Sequence, residues 1–132
     1  MLDFIVEAWD RYKDDLRAAY ARAAYQDDEM NLELCSYQDI FKFTLKHLHL
    51  DWFRLSDLTI VDYGDYQGTL IFIIPYDTYQ PGANETYYTI VEYGSCSGCD
   101  LLQNIQIMTG ADQINAFMNL SLNMLQRLKT FE

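Results

Sequence analysis

Leu58-Thr59-Ile60-Val61-Asp62-Tyr63, then Gly64-Asp65-Tyr66-Gln67-Gly68, then Thr69-Leu70-Ile71-Phe72-Ile73-Ile74, is the stretch whose reading decides the fold. Two runs of β-branched, aromatic and apolar residues flank a connector with glycine at each end, the pattern of an antiparallel hairpin. The second run is apolar on both faces, which predicts a central strand covered on both sides. Pro75 ends it, because proline donates nothing to a strand ladder. A third run, Tyr87-Tyr88-Thr89-Ile90-Val91-Glu92-Tyr93, predicts a third strand.

Helical periodicity surrounds this core on both sides. Leu2, Ile5, Trp9, Tyr12, Leu16, Ala19 and Ala23 recur at spacings of three and four, predicting a helix over roughly residues 3–25 with one apolar face. Ser36-Tyr37-Gln38-Asp39 has the form of a capping box variant. A helix over roughly 37–49 follows, with Ile40, Phe41, Thr44, Leu45 and Leu48 on its apolar side. After the third strand, Asp100 reads as the N-cap of a helix carrying Leu101, Leu102, Ile105 and Met108. Thr109-Gly110-Ala111-Asp112 breaks that pattern, and a last helix aligns Ile114, Phe117, Met118, Ser121, Leu125 and Leu128. The order predicts an α+β fold: a three-stranded antiparallel meander with two helices before it and two after, in one domain spanning 1–132.

The chain has 132 residues, half of them apolar or aromatic, with 20 acidic residues against nine basic ones and a formal charge of −11. Such a field repels phosphate backbones and membrane surfaces, so direct nucleic-acid binding is a poor expectation and attraction to a basic protein a better one. Acidity can also serve solubility alone. No apolar run approaches a membrane span and the start does not resemble a signal peptide, so a cytosolic location with reduced thiols is expected.

Two of the three cysteines sit in Tyr93-Gly94-Ser95-Cys96-Ser97-Gly98-Cys99-Asp100. A Cys-x-x-Cys turn serves a metal, a redox dithiol or a disulfide. In a meander this turn lies beside the hairpin connector, so Cys96 and Cys99 approach Asp65. Two thiolates and a carboxylate are three of the four ligands that structural Zn2+ takes. Cys35, Asp62, Asp100, His47 and His49 stay open for the remaining position. A strand followed by Cys-x-x-Cys and a helix is also how thioredoxin-like proteins place a dithiol, although Asp100 beside Cys99 disfavours a thiolate. No Gly-x-Gly-x-x-Gly, P-loop, Gly-x-Ser-x-Gly or His-Glu-x-x-His pattern is present, and no catalytic residues are assigned.

Eleven tyrosines complete the inventory, seven of them at Tyr63, Tyr66, Tyr76, Tyr79, Tyr87, Tyr88 and Tyr93. Interleaved with Asp62, Asp65, Asp77, Glu85 and Glu92, they form the makings of an adhesive acidic face. The alternative is that they simply cover the sheet.

The segments Asp62-Tyr63-Gly64-Asp65-Tyr66-Gln67-Gly68-Thr69-Leu70 and Val91 through Gln103 resemble a family of small phage and prophage proteins. Members similar to this chain include type II-A anti-CRISPR proteins, which block Cas9. The resemblance covers roughly the central forty residues. It implies metal positions at Cys96 and Cys99 with Asp65 as companion, and a non-enzymatic, zinc-stabilised inhibitor in the host bacterial cytoplasm. Its partner would be a basic recognition or DNA-contacting region of Cas9, whose nucleic-acid channels are positively charged. A thiol-disulfide oxidoreductase using Cys96 and Cys99, and a phage structural or assembly factor, are the competing classes. The apolar helical ends are compatible with a homodimer.

Overall fold

The computed structural model of the chain describes residues 2–24, 34, 36–50, 52–63, 68–77, 80–82, 85–93, 101–106 and 108–130. In chain order these form α1 (Asp3–Ala24), α2 (Tyr37–His47), a 3-10 turn (Leu55–Asp57), β1 (Thr59–Tyr63), β2 (Gly68–Pro75), β3 (Thr86–Tyr93), α3 (Leu101–Gln106), α4 (Gly110–Gln126) and β4 (Lys129–Thr130). The sheet order is β1-β2-β3-β4, antiparallel throughout. The α+β class is as expected. The three-stranded arrangement is not, because the chain leaving α4 returns to pair Lys129 with Tyr88 and Thr130 with Tyr87. Two residues carry no alternation to read, so β4 has no signature in the sequence.

Helix α2 shows most directly how local sequence sets local structure. Ser36 is extended at the N-cap and its Oγ accepts the Asp39 N–H at 3.1 Å. Ile40, Phe41, Thr44, Leu45 and Leu48 are all fully buried. At the other end, the His49 N–H donates to the Lys46 carbonyl (3.2 Å) and the Leu50 N–H to the Leu45 carbonyl (3.0 Å). That is the Schellman pattern, with buried Leu45 and Leu50 as its apolar pair. It requires a left-handed residue between them, and His49 takes φ 57° there. The His49 ring rests on Tyr12 (centroids 4.4 Å) and its Nε2 lies 3.3 Å from Asp15 Oδ2. His49, an open metal candidate in the sequence, therefore terminates a helix and ties it to α1.

Three helices meet through a buried polar chain. Tyr20 of α1, Thr44 of α2 and Ser121 of α4 have no solvent exposure. Thr44 Oγ1 donates to the Ile40 carbonyl at 2.7 Å, and a carbonyl can only accept. With its single hydrogen used there, Thr44 accepts from Ser121 (2.8 Å), and Ser121 accepts from Tyr20 (2.6 Å). Each hydroxyl hydrogen is used once. The Tyr20 ring is stacked between Phe43 (4.7 Å) and Phe117 (4.9 Å). Among the described residues no buried side-chain polar atom lacks a partner.

The sheet has two unlike faces. Phe72, Ile74, Thr89 and Val91 are buried and point toward the helices, where Thr89 Oγ1 donates to the Met124 carbonyl at 2.7 Å. The alternate residues Val61, Ile71, Ile73, Tyr88 and Ile90 point the other way and are only half-buried. The helices cover one side of β2, so the expected double cover is not found among the described residues.

Burial pushes the Tyr20 hydroxyl up to about 12, against the smaller opposing effect of its Ser121 and Thr44 hydrogen bonds. Since the folded value lies above the unfolded one, this contribution is full below pH ~10 and is lost as pH rises from about 10 to 12. Ultraviolet titration should find one tyrosine that ionises only on unfolding, worth roughly 2–3 kcal/mol over that window. Tyr20→Phe should remove that component. Ser121→Ala alone should cost about 1–3 kcal/mol in denaturant unfolding. The triple variant Tyr20→Phe, Thr44→Val, Ser121→Ala should lose less than the sum of its parts, because apolar replacements leave no buried group unpaired.

Candidate functional site

The register places Tyr63, Gly68 and Tyr93 together at one end of the sheet: Tyr63 faces Thr69, and Gly68 faces Tyr93. The hairpin connector and the cysteine turn therefore leave from adjacent strand ends, as the meander predicts. Cys96, Cys99 and Asp65, with Cys35 and Asp100, lie outside the described residues. Asp62 and Glu92 are exposed near that end. His47 lies in α2 against Phe43, with ring centroids 4.3 Å apart, so neither histidine approaches the sheet end through a described contact. Among the described residues no group of three or more His, Cys, Asp or Glu is placed to hold a metal ion.

What the structure does bring together is an aromatic corner at the opposite end of the sheet. The Phe53–Tyr76 bridge extends the β2 edge beyond Pro75. The Arg54 N–H donates to the Pro75 carbonyl (2.9 Å), the Asp77 N–H to the Trp52 carbonyl (2.5 Å), and the Tyr76 N–H to the Glu85 carbonyl (2.7 Å). Beside this backbone frame three rings surround Phe4, at the start of α1. Phe4 lies 4.9 Å from Trp52, 6.3 Å from Phe53 and 5.8 Å from Tyr87, and Phe53 meets Tyr87 edge-on at 5.2 Å. Phe53 is buried, whereas Trp52 and Tyr76, 6.4 Å apart, are 40 % and 36 % exposed.

Acids border these exposed rings. Arg54 bridges Asp57 (3.1 Å) and Asp77 (3.2 Å). Those two hydrogen bonds raise the guanidinium pKa further. The pairs are solvent-exposed and contribute little to stability; their effect is to fix where the charges stand. Tyr87 is also raised, mainly by burial and then by Tyr76 and Glu85, so its hydroxyl stays neutral. Exposed Trp and Tyr on a rigid frame with a polar border is the make-up of an interface anchor. Glu85 and Asp77 were legible as part of an acidic, tyrosine-rich face. Trp52 and Phe4 were not, because neither lies on a periodic stripe that points to solvent.

A small hollow of about 150 Å3 opens between α2, β3 and α4, lined by Tyr37, Ile90, Val91, Leu120, Asn123 and Met124 with Glu92 and Arg127. Tyr37 Oη accepts the Leu102 N–H at 3.1 Å, and Arg127 Nη1 donates to the Ile90 carbonyl at 3.3 Å. These bonds anchor α3 and the end of α4, and among the described residues no Ser, Thr or Cys lines the space. No helix among the described residues is long and apolar enough to cross a membrane.

Comparison with protein-family models, curated proteins and solved structures found no match.

The corner separates two roles that mutation can distinguish. Phe53→Ala should cost about 3–5 kcal/mol in denaturant unfolding, the usual loss for a buried phenylalanine. Trp52→Ala should cost under about 1.5 kcal/mol, because much of its ring already faces water.

Proposed function

We propose that this chain is a non-enzymatic inhibitor that binds a basic surface of Cas9 and keeps target DNA out, as its resemblance to type II-A anti-CRISPR proteins implies. The observation that carries this reading is the segregation of charge along the chain. From residue 55 to residue 126 there is no Lys or Arg, while Asp57, Asp62, Asp65, Asp77, Glu85, Glu92, Asp100 and Asp112 all fall there. The bases stand on α1, α2, Arg54, Arg127 at the end of α4 and Lys129 of β4, so this stretch of the chain supplies acids only, two of them, Asp57 and Asp77, being bridged by Arg54. Such a surface competes for sites built to hold phosphate and steers association with them. The exposed Trp52–Tyr76 pair supports the same reading by supplying contact area amid those acids.

The zinc belongs to this reading as a scaffold element. Cys96, Cys99 and Asp65 would hold it, and the chemistry of that donor set suits a structural ion with one further ligand. Zinc there would staple the cysteine turn to the hairpin connector and contribute folding energy rather than catalysis.

Two measurements test the proposal. Purified chain should bind Cas9 and slow its DNA loading at physiological salt, with affinity falling as salt rises; failure of both ends the reading. Trp52→Ala with Tyr76→Ala should weaken that binding by at least about tenfold. Elemental analysis should find roughly one zinc per chain, lost in Cys96→Ser, Cys99→Ser together with stability. Metal-free protein with two reactive thiols would instead favour an oxidoreductase.

A further inference from the structure

Trp52 and Tyr76 stand in the solvent-facing part of the aromatic corner, 40 % and 36 % exposed. Their rings lie 6.4 Å apart at 57° to one another, a tilt at which they do not spend their faces on stacking together. Phe4 of α1 backs Trp52 at 4.9 Å. Backbone hydrogen bonds from Asp77 to Trp52 and from Tyr76 to Glu85 fix both residues, so the opening between the rings is built before any partner arrives.

The charges around the opening decide what fits it. Asp57 and Asp77 are each held through a single oxygen by Arg54, and both carboxylates remain more than half exposed. Glu85 is half-buried and meets no cation among the described residues. It lies close enough to Tyr87 to raise that hydroxyl together with Tyr76, which puts its carboxylate at the same corner. Three acids against one guanidinium leave the rings in a negative field. That field repels phosphate and carboxylate ligands and draws a cation.

We propose that this opening receives an arginine side chain of a basic protein partner, its guanidinium lying on the Trp52 and Tyr76 rings with Glu85 and Asp77 supplying the counter-charge. A cation is attracted within about 6 Å of a ring centroid, and centroids 6.4 Å apart let one planar group serve both. Guanidinium is flat, weakly hydrated and forked, so it stacks on a ring and still donates edgewise to a carboxylate. An ammonium is a compact, strongly hydrated point charge and gives up more water for less contact. The inference rests on the reading above for the partner's basic character, and it names the side chain through which that partner is held.

The test needs no Cas9. The full chain is titrated with acetyl-Arg-Arg-Arg-amide and with its tri-lysine counterpart, equal in charge, while the indole N–H signals of Trp52 and Trp9 are followed by NMR. Trp9 lies in α1 and packs against the core, so it reports any general change. The Trp52 signal should shift saturably with the arginine peptide while Trp9 holds still, and the lysine peptide should bind at least about threefold more weakly. Tyr76→Ala and Glu85→Gln, both read by the same Trp52 signal, should each weaken binding about threefold to fivefold. Asp112→Asn, at an exposed position in the first turn of α4, removes the same charge as Glu85→Gln and should change binding by less than about 1.5-fold. Equal affinity for the two peptides, an unmoved Trp52 signal, or Asp112→Asn costing as much as Glu85→Gln would each overturn the proposal. A chain that binds Cas9 yet ignores the arginine peptide loses this inference alone. One that takes the peptide at Trp52 without binding Cas9 loses the earlier reading alone.

Discussion

The hydrogen-bonded chain from Tyr20 through Ser121 and Thr44 to the Ile40 carbonyl sets the arrangement on which the rest of the structure depends. Its members come from three helices separated widely in sequence, and each is fully buried. Inside an apolar core an unpaired hydroxyl is expensive, so the three helices approach only in the arrangement that pairs all of them. Hydrophobic burial alone would tolerate sliding and rotation among α1, α2 and α4. Phe43 and Phe117 clamp the Tyr20 ring from both sides and remove what freedom the hydroxyls leave.

The sheet inherits its position from that helical layer. Thr89 bonds the Met124 carbonyl near the end of α4, and a few residues later the chain turns back so that Lys129 and Thr130 extend the sheet past β3. Leu128, buried between helix and strand, anchors the return. One side of the sheet is thereby committed to the helices. Among the described residues no helix covers the opposite side, and Trp52 and Tyr76 of the aromatic corner stand exposed. The corner is bordered by Asp57, Asp77 and Glu85.

Much of the fold was legible in the chain. The 3.6-residue recurrence from Leu2 to Ala23 marks α1, and Ser36 marks the start of α2 at the residue where the side-chain cap is found. The strand runs lie within a residue or two of their observed bounds, since β-branched density and the bordering glycines and proline are local signals. Tyr20 was not placed on the α1 stripe although, four residues after Leu16, it lies on the same helical face. What the chain could not name were the partners of its hydroxyl, which come from α2 and α4. The candidate site divides similarly: the acidic tyrosine-rich surface was evident, whereas the convergence of Phe4, Trp52, Phe53, Tyr76 and Tyr87 was not.

By itself the sequence determined the element types, the hairpin, the charge imbalance and the adjacency of the strand ends from which the hairpin connector and the cysteine turn leave. Each of these follows from short-range backbone preference, from simple counting, or from antiparallel register. Tertiary structure alone decided which partners the Tyr20 hydroxyl meets, that His49 ends a helix, that β4 exists and that the described helices all lie on one side of β2. These depend on which surfaces meet across long stretches of chain. A buried hydroxyl, a left-handed cap or a two-residue strand gains its stability from partners that no local pattern names.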